Sequence, residues 1–276
     1  MRIRGSTRLL AVVGDPVAHS LSPRMHNAAI AALGLDAVYV ALRTCADTLE
    51  LVVRGVLATG GALNVTVPHK RAVLALLDEA SPVVRRTGAC NVVWGGPRGI
   101  SGDNTDVEAV RSEAARLLAD RPVRRALVLG TGGSARAAAV AIADGWAGAT
   151  VEVLSRDARR TAEFQAWASS AGVRVAPPGE GPVDLVVNAT PLGLSAADPL
   201  PLDLAHLQAR GPAAVLDLVY LRGRTRLVRG AREAGIAAED GRSVLVEQGA
   251  AALRLFFDAQ PPREVMRAAV EDALGA

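Results

Sequence analysis

Leu9-Leu10-Ala11-Val12-Val13-Gly14 is an unbroken apolar run that predicts a buried strand. Ser22-Pro23 and the stretch Met25 to Ile30 then predict a helix with proline in its first turn. The strand-turn-helix unit recurs. Ala37 to Leu42 predicts a strand, Leu49 to Thr59 a helix, and Ala62 to Val67 a strand stopped by Pro68. A helix around Arg71 to Leu77, a short strand over Ala89 to Trp94 and a turn-rich segment from Gly95 to Gly102 follow. Val107 to Ala119 predicts a long helix leading to Pro122. Strands are predicted again at Ala126 to Leu129, Thr150 to Leu154, Val173 to Val175, Asp184 to Asn188 and Ala214 to Val219. After Gly241 the pattern is helical, over Leu245 to Asp258 and from Pro262 onward. This alternation implies an α/β fold with a mostly parallel sheet.

Composition sharpens the picture. A chain of 276 residues is comfortable for two domains. Half of it is hydrophobic but only 3% is aromatic, so the cores must be filled mainly by Ala, Val and Leu. The formal charge is +3, with arginines interleaved among acids rather than blocked together, which argues against a nucleic-acid partner. Cys45 and Cys90 have neither CxxC spacing nor a nearby metal-ligand set, so both are expected as buried free thiols, with no metal. No apolar run reaches membrane-spanning length, and the N-terminus lacks the pattern of a signal peptide. A soluble cytoplasmic protein is the expectation.

Gly130-Thr131-Gly132-Gly133-Ser134-Ala135 follows a predicted strand and opens an alanine-rich helix, matching G-x-G-x-x-A. Such glycines allow a tight turn and let backbone N–H groups approach a pyrophosphate at a helix N-terminus. The next strand ends in Ser155-Arg156, where a site preferring NAD usually has an acid for the ribose hydroxyls. Arg156, with Arg160 one helical step on, instead suits a 2′-phosphate, hence NADP, with NAD as the alternative.

All but one of the 31 basic residues are arginine, and the single lysine, Lys70, closes Asn64-Val65-Thr66-Val67-Pro68-His69-Lys70. Lysine can exchange a proton when its surroundings allow, whereas arginine stays charged. Gly102-Asp103-Asn104-Thr105-Asp106, taken alone, is a turn and a helix start with Thr105 or Asp106 as N-cap. His19, His26 and His69 stand beside these motifs and are expected to be structural.

Together with Gly14-Asp15-Pro16-Val17-Ala18-His19-Ser20-Leu21-Ser22-Pro23, Gly88-Ala89-Cys90-Asn91, Asn188-Ala189-Thr190-Pro191-Leu192-Gly193, Asp217-Leu218-Val219-Tyr220 and Gln248-Gly249-Ala250, these segments resemble the shikimate dehydrogenase family over nearly the whole chain. The resemblance implies two domains with an active-site cleft between them. Residues 1–106 would form an α/β substrate domain completed by C-terminal helices in 240–276, and residues 107–239 a Rossmann-type NADP domain. It also implies reversible reduction of 3-dehydroshikimate to shikimate, on the route to chorismate and the aromatic amino acids. Lys70 and Asp106 resemble the catalytic pair. Ser20, Ser22, Thr66 and Tyr220 resemble ligands of the substrate carboxylate, and Asn91 and Gln248 ligands of its ring hydroxyls. The cofactor would meet Gly130, Thr131, Gly132, Gly133, Ser134, Ser155, Arg156, Arg160, Thr190 and Gly241. A small-molecule substrate and a monomer or homodimer are implied.

The sequence departs from the family at Val92, usually threonine, and at Val107, usually glycine. Leu221-Arg222 replaces Asn-Pro after Tyr220, and Gly241-Arg242-Ser243-Val244 replaces a run of small and apolar residues. The ligand set also suits quinate or an amino-substituted shikimate. Related domains occur as non-catalytic sensors, against which the retained Lys70 and Asp106 count.

Overall fold

The computed structural model describes residues 3–119, 121–195 and 197–275. The chain divides into two compact units: one runs to Thr105 and takes in Leu245–Ala273, and the other is Asp106–Val244 with the tail from Leu274.

In the first unit the order is β1 (Arg8–Gly14), α1 (Ser22–Ala32), β2 (Ala37–Arg43), α2 (Leu49–Ala58), β3 (Ala62–Val65), β4 (Glu79–Ala80), α3 (Pro82–Thr87), β5 (Val92–Gly96) and β6 (Gly99–Asp103). These strands form one sheet in the order β2-β1-β3-β5-β6-β4. The apolar run of β1 is explained by burial on both faces. Leu10 and Val12 pack with Ile30, Tyr39, Ala252 and Phe256, while Ala11 and Val13 pack with Val53, Val56, Leu63 and Val65. Each such buried Val or Leu contributes about 2 kcal/mol of hydrophobic stabilisation.

The sheet of the first unit is mixed: β5 runs antiparallel to both β3 and β6, while its other pairs are parallel, as the expectation of a mostly parallel sheet has it. Three other expectations change here. The segment from Gly95 to Gly102 is a hairpin rather than a connecting turn: Gly96 pairs with Gly99, whose φ of +112° suits glycine. The helix expected around Arg71 to Leu77 is a tighter 3-10 turn, Ala72–Leu76, with only Val73 buried. Cys90 is buried, but Cys45 is exposed, with Sγ 3.2 Å from the Thr48 hydroxyl at the start of another 3-10 turn.

The second unit begins with α4 (Asp106–Leu118), followed by β7 (Arg125–Leu129), α5 (Gly133–Gly145), β8 (Thr150–Leu154), α6 (Ala158–Ser170) and β9 (Arg174–Ala176). The chain continues through β10 (Leu185–Asn188), α7 (Leu204–Arg210), β11 (Ala214–Asp217), α8 (Arg226–Glu233) and β12 (Ala237–Glu239). The last helices are α9 (Arg242–Phe257), in which the boundary between the units falls, and α10 (Arg263–Leu274). The second sheet is parallel throughout, ordered β12-β11-β10-β7-β8-β9. The chain lays down β7, builds outward to β9, then returns to the other side of β7 for β10 to β12. That is the doubly wound order of dinucleotide-binding folds, with its reversal between β7 and β10.

Glu152, fully buried in β8, is held by Arg125, by Arg210 at 2.7 Å and by the Gly179 N–H at 3.0 Å. Burial opposes its ionisation, but these partners outweigh burial and hold the carboxyl below the usual range.

Candidate active site

Parallel pairing of β1 with β3 brings the loops that follow both strands to the same sheet edge. Gly14 ends β1 where a Cβ would run into Thr66 and lie 2.9 Å from the Val67 carbonyl. Asp15 N–H donates to that carbonyl at 3.0 Å, and Thr66 N–H donates to Val13 O at 2.9 Å. The loop carrying Ser20 and Ser22 is thereby tied to the loop carrying Thr66 and Lys70. Ser22, buried at the start of α1, donates its N–H to Ser20 Oγ at 3.3 Å. His69 is buried with Nε2 2.6 Å from the Thr44 carbonyl, so its role is to hold the loop. Lys70 is anchored through its own carbonyl, which accepts from Cys90 N–H at 2.8 Å.

That bond leads to Asn91, which sits in a hydrogen-bonded clamp. Its Oδ1 accepts from Thr105 N–H at 2.8 Å, and its Nδ2 donates to Thr105 Oγ1 at 3.0 Å and to Gln248 Oε1 at 3.4 Å. Gln248 Nε2 in turn donates to Leu245 O at 2.8 Å. The Thr105 side chain is therefore engaged with Asn91, and the next residue, Asp106, opens α4 largely buried. Beneath Asn91, Asn64 Nδ2 donates to its carbonyl at 3.3 Å, and Tyr39 OH donates to Asn64 Oδ1 at 2.8 Å. His26 stacks on Tyr39 with ring centroids 4.2 Å apart, and neither ring nitrogen has a hydrogen-bond partner among the described residues. Burial pushes its pKa down to about 3, so the ring is neutral. Gly249 lets α9 approach this ring, since a Cβ there would lie 3.2 Å from His26 Nε2.

In the second unit Gly130 takes a φ of +103°, and a Cβ on it would lie 3.1 Å from both Ala189 O and Thr190 Cγ2. The glycine turn after β7 thus packs on the loop after β10, at the strand-order reversal. Gly132 is the N-cap of α5, so Gly133 and Ser134 lie in its first turn, where N–H groups lack intrahelical partners. Beyond β8, Ser155 Oγ accepts from Asp157 N–H at 3.3 Å and Arg156 is exposed. Asp157 caps α6 and pairs with Arg160 at 3.4 Å, so Arg160 is partly neutralised while Arg156 faces solvent. Gly241 is pressed against Leu218 O and donates its N–H to Val219 O at 2.9 Å, next to the partly buried Tyr220. A glycine turn with no room for a side chain at Gly130, a helix N-terminus and an exposed arginine after β8 fit a phosphorylated dinucleotide.

The substrate-ligand candidates other than Tyr220 lie in the first unit; Tyr220 and all the cofactor candidates lie in the second. Tyr39, Asn64, Asn188 and Asp217 were not singled out from sequence, and Thr105 only as a possible N-cap. Four of them stand inside the quoted motifs, but each has a partner well away in the chain: Asn64 bonds to Tyr39, Thr105 to Asn91, and Asn188 to Asp217. Among the described residues no group of three or more His, Cys, Asp or Glu is disposed to hold a metal ion. No helix among them is long and apolar enough to cross a membrane.

Residues 12–93 match the family described as shikimate dehydrogenase substrate binding domain, and residues 241–271 the shikimate 5'-dehydrogenase C-terminal domain. The shikimate dehydrogenase (NADP(+)) of Microcystis aeruginosa is 38% identical over 280 residues, covering 97% of this chain and 98% of that protein. A solved shikimate 5-dehydrogenase from Thermus thermophilus, in complex with NADP(H) and shikimate, is 36% identical, with a TM-score of 0.82. The match covers 96% of this chain and 99% of that one. A quinate dehydrogenase from Corynebacterium glutamicum in complex with NAD is 29% identical, with the same coverage and a TM-score of 0.84. With this identity across nearly the full length, the chain belongs to the shikimate dehydrogenase family.

Proposed function

We propose that this chain is an NADP-dependent oxidoreductase that reversibly reduces 3-dehydroshikimate to shikimate. The observation that carries the reading is the Asn91 clamp: a buried amide held between Thr105 and Gln248, leading directly into Asp106. Amide side chains offer both a donor and an acceptor, which suits ring hydroxyls. Ser20, Ser22, Thr66 and Tyr220 supply hydroxyls for the substrate carboxylate. When bound, NADPH would supply the hydride for carbonyl reduction, and NADP+ would accept it in the reverse direction. The protein manages the proton. Lys70 as an ammonium donates to the developing alkoxide, and as an amine it takes the hydroxyl proton in oxidation. Asp106 would orient the proton-carrying group and hydrogen-bond the same hydroxyl.

On the cofactor side, the first-turn N–H groups at Gly133 and Ser134, with Gly130, Thr131 and Gly132, would hold the pyrophosphate. Arg156 would take the 2′-phosphate, with Ser155 and Arg160 in support. Thr190 and Gly241 would contact the remainder of the cofactor. We place the protein in the cytoplasm, as a monomer or homodimer. The test is turnover by the purified protein with NADP or NAD and each of shikimate, quinate and an aminoshikimate, followed by absorbance of the reduced cofactor. The highest kcat/KM is expected for shikimate with NADP. Preference for quinate or for NAD would overturn the substrate or cofactor assignment, and shikimate binding without any turnover would make the protein a sensor.

A further inference from the structure

We infer that Asp217 is a positioning residue that sets two ligand-bearing loops of the second unit at once: the loop after β10, which carries Thr190, and the turn after β11, which carries Tyr220. The inference rests on the reading above for Thr190 and Tyr220. Asn188 and Asp217 end neighbouring parallel strands in register. Both are fully buried.

The Asp217 carboxylate accepts from Asn188 Nδ2 at 2.7 Å and Val219 N–H at 3.1 Å on Oδ1, and from Thr225 Oγ1 at 2.7 Å on Oδ2. A carboxylate can only accept, so it forces Asn188 to turn its NH2 toward β11 and its oxygen toward its own loop. That oxygen accepts from Thr190 N–H at 3.0 Å and from Thr190 Oγ1 at 2.7 Å, while Nδ2 also donates to Leu192 O at 3.2 Å. The amide orientation, and with it the Thr190 hydroxyl, is fixed from Asp217. On the other side Val219, whose N–H Asp217 holds, precedes Tyr220, and its carbonyl receives Gly241 N–H. Burial makes this carboxylate costly to keep charged, and its pKa is pushed up to about 6, with Asp240 adding to the effect. An apolar side chain of similar volume would fill the space without that cost. What it would not do is orient the two loops.

The test compares Asp217→Ala, Asp217→Asn and Asn188→Ala with the unmodified protein. NADP binding is read by calorimetry, and kinetics with shikimate are read at saturating NADP. Losing this buried hydrogen-bonding group is expected to weaken NADP binding and raise the shikimate KM, each by about 10-fold, in Asp217→Ala. Asp217→Asn, which keeps an acceptor for Val219 while Thr225 turns to accept, recovers most of both. Asn188→Ala weakens NADP binding alone. A purely structural role would lower the folded fraction and the apparent kcat, leaving both constants unchanged. Constants within twofold of the unmodified protein in folded Asp217→Ala would overturn the inference, provided Thr190→Ala weakens NADP binding. If Thr190→Ala has no effect, the ligand assignment itself falls, and the cofactor half of the inference with it. Should Asp217→Ala not fold, Asn188→Ala decides: an unchanged NADP affinity overturns the link.

Discussion

Thr105 shows how a residue without assigned chemistry can control one that has it. Its N–H and hydroxyl both engage Asn91, and its peptide bond leads to Asp106. Thr105→Val keeps the shape but removes the acceptor for Asn91 Nδ2, leaving a buried amide hydrogen unsatisfied. A buried hydrogen bond lost in this way is expected to raise the shikimate KM by about 10-fold. Thr105→Ser should restore it, and NADP binding should not change; an unchanged KM in Thr105→Val would show that Asn91 is not held for the substrate. Nothing in the sequence around Thr105 pairs it with Asn91, fourteen residues away. Lys70 stood out as a candidate by residue type, and Asp106 and Gln248 by resemblance to the family's motifs, whereas Thr105, Asn64 and Asp217 act through side-chain bonds that only the fold brings together.

At the scale of elements, the strands buried on both faces were the most legible, because β1, β7 and β10 are continuous apolar runs. The β5–β6 hairpin was not, since Gly95, Gly96, Gly99 and Gly102 dilute its pattern until it reads as a turn. Elements α6, α7 and α8 were unread from sequence, yet each starts at a side-chain cap, Asp157, Asp203 and Thr225 respectively. The cap at Asp157 also bears on function. The carboxylate that begins α6 pairs with Arg160 and stands beside Arg156, so the element that would present arginines to a 2′-phosphate carries its own competing charge. The glycine turn at Gly130 was legible, but its reason, close packing on Ala189 and Thr190 across the reversal between β7 and β10, required the sheet order.

For the whole molecule, two buried groups give stability opposing dependences on pH. His26, with its pKa pushed down to about 3 from 6.5, stays neutral in the fold while the unfolded chain takes a proton below 6.5. Its burial therefore lowers stability progressively as pH falls, by about 2 kcal/mol at pH 5. Asp217 acts in the opposite sense: the fold binds its proton near pH 6 and the unfolded chain only near 3.8, so acidification across that window adds stability. His26→Phe keeps a ring on Tyr39 and removes the first effect. Its melting temperature should gain on that of the unmodified protein between pH 8 and pH 5, and a gap that does not change with pH would contradict the account. The central claim, that this chain interconverts a substrate hydroxyl and carbonyl with Lys70 moving the proton, is tested most directly by Lys70→Ala. Removing acid–base catalysis is expected to lower kcat with shikimate and NADP by about 100-fold to 10,000-fold, with shikimate and NADP affinities nearly unchanged. Turnover by Lys70→Ala close to that of the unmodified protein would contradict it.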